Sequence, residues 1–73
     1  MGLTPGALRI DYSGELPEDL VAYLATLGDV TTASTRPLVL VTAHPDRVLR
    51  AITPLLHGGM RVVRIKLRPS RRP

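Results

Sequence analysis

Five amino-acid types are absent from this chain of 73 residues: cysteine, phenylalanine, tryptophan, asparagine and glutamine. Without cysteine there is no disulfide, no thiol chemistry and no cysteine-ligated zinc or iron–sulfur site. Without phenylalanine or tryptophan, and with only two tyrosines, the hydrophobic core must be aliphatic. The length is that of one small domain, which buries only about 60% of the surface that its unfolded chain exposes.

Long apolar segments are also missing. No apolar run approaches the roughly 18 residues of a membrane span, and the first residues lack the basic and apolar regions of a signal peptide. We therefore expect a cytoplasmic protein with no membrane span.

Positive charge is concentrated at the end of the chain. Residues 1–60 carry four arginines and all six acidic residues, whereas residues 61–73 carry six basic residues and no acid. The formal net charge of +4 therefore belongs to the last part of the chain rather than to the whole domain.

The apolar pattern predicts four strands and two helices. The strands are expected, from alternation or from short apolar runs, at residues 7–12, 30–35, 38–41 and 61–68. Each helix begins at a proline followed by an acidic residue, at Pro17 and Pro45, and continues with apolar residues at helical spacing. Gly28 and the pair Gly58-Gly59 are expected to end the helices, and Pro54 to kink the second one.

The order β-α-β-β-α-β predicts a ferredoxin-like α+β fold, a two-layer sandwich of a four-stranded antiparallel sheet with two helices on one face. In its usual strand order, 4-1-3-2, the apolar third strand is central. We expect a flexible lead-in at residues 1–6, one domain at 7–68 and a basic tail at 69–73. On the fourth strand, the side chains expected to face the helices are Val63, Ile65 and Leu67.

Motifs for catalysis or for a cofactor are not found. There is no G-x-x-x-x-G-K-[ST] loop, and the only lysine, Lys66, lies in a predicted strand. His44 and His57 are the only imidazoles, they lie near opposite ends of the second helix, and no further ligands at metal-binding spacing accompany them. Small acyl-phosphate hydrolases of this fold need an asparagine to position water, and this chain has none. We expect no enzymatic activity, no metal and no cofactor.

The uncovered face of the sheet is the predicted interface. Leu38 and Leu40 are the larger core fillers, so Val39 and Val41 should point away from the helices. The predicted interface residues are Val39, Val41, Arg9, Asp11, Arg64 and Lys66. We expect a homodimer through this face, with Asp11 of one copy meeting Arg64 or Lys66 of the other at the rim.

Two alternatives come from different classes of protein. RNA-recognition domains share this fold but stack bases on aromatic side chains, which the uncovered face of this sheet lacks. RNA or a ribosome would then be held by charge alone, through Arg64, Lys66, Arg68, Arg71 and Arg72. A solvated basic strand is the simpler interpretation of these residues. A module that binds a ligand at the sheet edge would need a glycine-rich turn after the first strand, of which Ser13-Gly14 is a weak version.

Two segments resemble a known family. The segment LRIDYSGELPEDLVAYLATLGDVTT is similar to the small C-terminal accessory domain of bacterial ABC-transporter ATP-binding subunits of the daunorubicin-resistance type, and VTAHPDRVLRAITPLLHGGMRVVRIKLRPS resembles its second half. The matching residues in the first segment are Leu16, Pro17, Leu20, Leu24, Leu27, Gly28 and Val30. The likeness covers nearly the whole chain, from Ala7 to Ser70, beyond which Arg71-Arg72-Pro73 replaces the acidic and aromatic ending of the family.

The resemblance implies an accessory, regulatory role beside a nucleotide-binding domain. In that family the domain assists contacts between ATPase subunits or with the transporter and carries out no chemistry. The expected partners are thus a second copy of the chain or the ATPase domain of an ABC transporter.

Overall fold

The computed structural model describes residues 4–71 as a four-stranded antiparallel sheet with two helices. The elements in chain order are β1 (Gly6–Ser13), α1 (Glu18–Ala25), β2 (Val30–Thr35), β3 (Leu38–Thr42), α2 (Pro45–Ile52), a short 3₁₀ helix (Thr53–Leu55) and β4 (Arg61–Arg68). The strand order is β2-β3-β1-β4, with β2 and β4 at the edges. This is the predicted ferredoxin-like topology, and the prediction of the fold class is confirmed.

Backbone pairing continues past the predicted limits of the domain. β1 begins at Gly6, and Thr4 forms an isolated bridge with Arg71. The Thr4 amide donates to the Arg71 carbonyl over 2.7 Å, and the Arg71 amide donates to the Thr4 carbonyl over 2.9 Å. Parts of the predicted lead-in and tail are therefore tied to each other, while residues 1–3 and 72–73 lie outside the described residues.

The core is a single aliphatic cluster between the sheet and the helices. Its buried members are Leu8, Ile10, Leu20, Leu24, Leu38, Leu40, Val48, Ile52 and Met60. Alternate residues of β1 and β3 are buried, so the remaining residues of these strands lie on the opposite face of the sheet. Met60, which precedes β4, was not predicted to be in the core.

The first helix is shorter than the sequence predicts. It ends at Ala25, with Thr26 as its C-cap, and the prediction that Gly28 ends it is wrong. The Thr26 hydroxyl donates to the Tyr23 carbonyl over 2.7 Å. Such a side-chain bond competes with continuation of the backbone ladder, and the helix stops two residues before its apolar pattern does.

The second helix changes form where Pro54 was expected to disturb it. The α-helix ends at Ile52 and the chain continues as the 3₁₀ helix Thr53–Leu55. Proline cannot donate the hydrogen bond that a further α-helical turn requires. The chain then turns from His57 to Met60, and Gly58 adopts a positive φ of 72° in that turn.

The register of β4 differs from the predicted one at its start. Asp11 pairs with Arg64 but Tyr12 pairs with Val62, so Val63 is the extra residue of a β-bulge. Val62 takes the place on the core that was predicted for Val63, which is itself 71% exposed.

Candidate functional site

The face of the sheet away from the helices, here called the open face, brings all six predicted interface residues together. Arg9 of β1 pairs with Val39 of β3 and with Lys66 of β4. Directly opposed residues of antiparallel strands point to the same face. By the same register, Ala7 lies between Val41 and Arg68, and Asp11 lies opposite Arg64.

A shallow concavity of about 470 Å³ lies on this face. It forms above Ala7, whose methyl group leaves space between the longer side chains of the neighbouring strands. The lining residues are Ala7, Arg9, Val39, Lys66, Leu67, Arg68 and Pro69. Val39 is half-buried and supplies apolar surface, while the basic side chains surround it.

The electrostatic character of the open face is basic. Arg64, Lys66 and Arg68 form a row along β4, and all three residues are exposed. Asp11 is the one acidic residue in the strands of the part of the chain that the structure describes. Its Oδ1 lies 3.1 Å from Nη2 of Arg9 and accepts a hydrogen bond from Arg9 Nε over 3.2 Å. Asp11 is thus the one acidic residue beside the β4 row, and its ion pair in the described residues is with Arg9 rather than with that row.

The two remaining residues proposed to bind nucleic acid, Arg71 and Arg72, follow β4 in the sequence. Arg68 ends β4, and Arg71 is exposed at the bridge to Thr4. Arg72 lies outside the described residues. Arg68 thus belongs to the basic row, whereas Arg71 is exposed beyond the end of the strand.

The aromatic side chains lie elsewhere. Tyr12 packs against the core, and its hydroxyl donates to the Thr35 carbonyl over 2.6 Å. Tyr23 packs against the same cluster from α1. Within residues 4–71 the open face therefore offers no aromatic ring on which a base could stack.

On the helical side of the described residues, one histidine and one aspartate are in contact. His57 Nε2 lies 3.1 Å from Asp19 Oδ2, and both side chains are about half exposed, at 53% and 52%. His44 is the N-cap of α2 but its side chain makes no capping bond. Over residues 4–71, no group of three His, Asp or Glu side chains is placed to hold a metal ion.

A second surface feature, missed by the sequence analysis, lies along β4. Ile65 and Leu67 pair with Ile10 and Leu8 and so face the helical side as predicted, but they remain 42% and 39% exposed. The helices have eight residues each, about 12 Å of length, and leave the outer strand uncovered. No signal in the sequence marks this exposure, because it depends on where the two helices end above the sheet.

Neither the family models nor the curated proteins nor the solved structures with which the chain was compared give a match. None of the helices in residues 4–71 has both the length and the apolar character needed to cross a membrane.

Proposed function

We propose that the chain is a non-catalytic protein-interaction module that binds an acidic surface of a partner protein through its open face. The observation that carries the proposal is the charge of that face. The strands place one acid on that face, Asp11, which is already paired with Arg9, and five basic side chains, those of Arg9, Arg61, Arg64, Lys66 and Arg68.

The composition of the face supports protein recognition. Interfaces combine an apolar centre with a polar rim and are enriched in arginine. Here the half-buried Val39 and Val41 supply the apolar part beside the basic row of β4. A basic face of this kind also speeds encounter with an acidic partner and discriminates against basic ones.

The same charges argue against the homodimer expected from the sequence. Two copies stacked by their open faces would double the excess of positive charge in the contact. Asp11, which was expected to meet Arg64 or Lys66 of the second copy, is held by Arg9 of its own chain at 3.1 Å. A partner that supplies carboxylates suits the face better than a second copy does.

The resemblance to the accessory domain of ABC-transporter ATP-binding subunits supports the same kind of role. It suggests a cytoplasmic nucleotide-binding domain as the partner, with the chain acting as a regulatory or docking element beside it.

Lys66 provides a chemical test, because it is the only lysine of the chain and lies on the open face. A carbodiimide joins an amine to a carboxylate only when the two are in direct contact. The chain, carrying a lysine-free affinity tag, is expressed in its cells of origin and treated with carbodiimide. We expect an amide bond between Lys66 and an Asp or Glu of another protein, identified by mass spectrometry.

A matched pair of charge reversals provides the control. Arg64→Glu with Arg68→Glu inverts the row but keeps Lys66, and we expect the cross-link to be lost. Arg47→Glu with Arg50→Glu makes the same charge change on exposed positions of α2 and should leave the cross-link intact. A bond only to a second copy of the chain would replace the proposal by self-association. A cross-link that ribonuclease treatment of the cell extract abolishes would replace it by nucleic-acid binding. The absence of any intermolecular bond would contradict it.

A further inference from the structure

β4 is an edge strand that is exposed on both of its faces. It has eight residues and pairs only with β1 among the strands that residues 4–71 form. Edge strands present unpaired backbone N–H and C=O groups, which another strand can use. In this chain that backbone edge is accompanied by two rows of side chains.

The row on the helical side is apolar. Ile65 and Leu67 continue the faces of Ile10 and Leu8 outward from the core, but they keep 42% and 39% of their surface exposed. These two exposed aliphatic residues lie beside the hydrophobic core, and their burial by a partner would be favourable.

The row on the open face is basic, and it consists of Arg64, Lys66 and Arg68. The two rows together describe what would fit against β4. An added strand should carry apolar side chains on the helical side and carboxylates on the open side, because cross-strand neighbours on one face interact directly.

The other edge of the sheet does not have these properties. β2 has the sequence Val-Thr-Thr-Ala-Ser-Thr, and its register shifts between Thr32 and Ser34. A bulge bends and twists an edge strand and so opposes further pairing. The bulge of β2 lies in the middle of a six-residue strand, whereas that of β4 lies at Val63 and leaves residues 64–68 in regular register. β2 also lacks both the charged row and the exposed apolar row of β4.

A second copy of the chain does not match β4 either. Two β4 strands related by a two-fold axis perpendicular to the sheet would keep their open faces on the same side. Their basic rows would then lie opposite each other, and like charges directly opposed across a strand pair are destabilising.

From this complementarity we infer that β4 binds an extended segment of the partner that alternates acidic and apolar residues, adding it to the sheet as a fifth strand. This inference rests on the proposed function and specifies the element of the partner that binds. Backbone hydrogen bonds supply affinity in such strand addition, and the alternate side chains supply specificity.

A pair of synthetic peptides tests the inference. The first alternates glutamate with valine and isoleucine over about seven residues, the usual length of a strand. The second has the same composition, but its glutamates and its apolar residues are grouped in two blocks. We expect the alternating peptide to bind the ¹⁵N-labelled chain and to slow amide hydrogen exchange in residues 64–68, and the block peptide to bind more weakly by about tenfold or more.

Variants on the helical side separate strand addition from simple charge attraction. Ile65→Thr with Leu67→Thr keeps residues that favour strands and leaves the open face unchanged. We expect this double variant to bind the alternating peptide more weakly. Val21→Thr on α1, at a residue that is 50% exposed, should leave the affinity unchanged. Circular dichroism of each variant verifies that it is folded.

Equal affinity for the two peptides, or protection at β2 instead of β4, would overturn the inference. A dimer that forms without peptide and is lost in the Ile65→Thr/Leu67→Thr variant would overturn it in favour of self-pairing. Because these variants leave Lys66 and its neighbouring arginines in place, the carbodiimide cross-link can succeed while strand addition fails.

Discussion

At the level of single residues, Arg36 joins the β2–β3 hairpin to the end of β1. Its guanidinium carbon lies 4.8 Å from the centroid of the Tyr12 ring, and its Nη2 donates to the Gly14 carbonyl over 2.6 Å. Tyr12 in turn donates to Thr35. These contacts hold β3 against β1 at the end next to Val39 and Arg9, so they support the geometry of the open face.

Gly14 is a residue whose replacement should be costly. It has a φ of +84°, and a Cβ at this position would overlap the carbonyl oxygen of Gly59. We expect Gly14→Ala to destabilise the fold by about 1–2 kcal/mol from the left-handed backbone alone, with the steric overlap adding to it. Gly28→Ala is the matched control, because a Cβ there has no atom within 4 Å. Urea unfolding followed by circular dichroism should show little loss for it, and equal losses would contradict this role of Gly14.

The buried aliphatic residues of the helices make a second prediction at this scale. Ile52 and Leu24 are 0% and 8% exposed, whereas Val21 on the same helix as Leu24 is 50% exposed. Truncation of a buried aliphatic side chain costs about 2–5 kcal/mol. We expect Ile52→Ala and Leu24→Ala to lower the urea midpoint strongly or to unfold the domain, and Val21→Ala to change it little. If the three midpoints moved alike, the assigned core faces of the helices would be wrong.

At the level of elements, the bulge in β4 determines which side chains are buried. The alternation of residues 61–68 predicts the strand and its limits correctly, but it also predicts that Val63 faces the helices. Val63 is an extra residue opposite Asp11 and Tyr12. The residues of β4 that precede it therefore point to the opposite faces from those that an unbroken alternation predicts. The alternation of residue types does not reveal a bulge. The sequence therefore assigns the residues of β4 to the correct faces only from Arg64 onward.

Two adjacent valines test the bulge. We expect Val62→Ala to destabilise the domain by about 1–2 kcal/mol more than Val63→Ala, because Val62 packs on the core while Val63 is 71% exposed. The comparison uses the same substitution in the same strand, so strand propensity largely cancels. A larger loss for Val63→Ala would show that β4 keeps an unbroken register.

The helix ends show a second limit of the sequence pattern. Pro54 was expected to kink the second helix, and the structure has a change from α to 3₁₀ geometry there, at the position where proline cannot donate a backbone hydrogen bond. The prediction that Gly28 ends α1 is wrong, because the helix ends at Ala25. The Thr26 hydroxyl bonds to the Tyr23 carbonyl at this end, and apolar spacing does not reveal such a bond. Helix length then determines how much of the sheet is covered, and the exposed row on β4 depends on it.

At the level of the whole molecule, the residues that share the open face could be predicted from the sequence. The exposure of β4 on the helical side could not. The open face follows from the parity of residues in β1, β3 and β4 once the topology is known, so Arg9 and Val39 could be placed together from the sequence. The exposure of Ile65 and Leu67 depends on where two short helices end above a sheet of four strands.

The charge of the molecule predicts its association behaviour. With the basic row of β4 unneutralised on its own sheet, we expect the purified chain to sediment as a monomer up to high micromolar concentration. Raising the salt concentration screens this repulsion and should favour any weak dimer. A stable dimer at low salt would contradict the charge argument and restore the homodimer that the sequence predicts, in which case Val39→Glu should shift it towards the monomer.

The accessibility of Lys66 tests the central claim most directly. Because it is the sole lysine and lies in the basic row of the open face, its acetylation, measured by mass spectrometry separately from that of the N-terminal amine, reports on that face alone. We predict that Lys66 reacts readily in the purified chain, is protected in a fresh extract of its own cells after ribonuclease treatment, and loses this protection in the Arg64→Glu/Arg68→Glu variant. Equal reactivity of Lys66 in the extract and in the purified chain would contradict a protein partner on the open face.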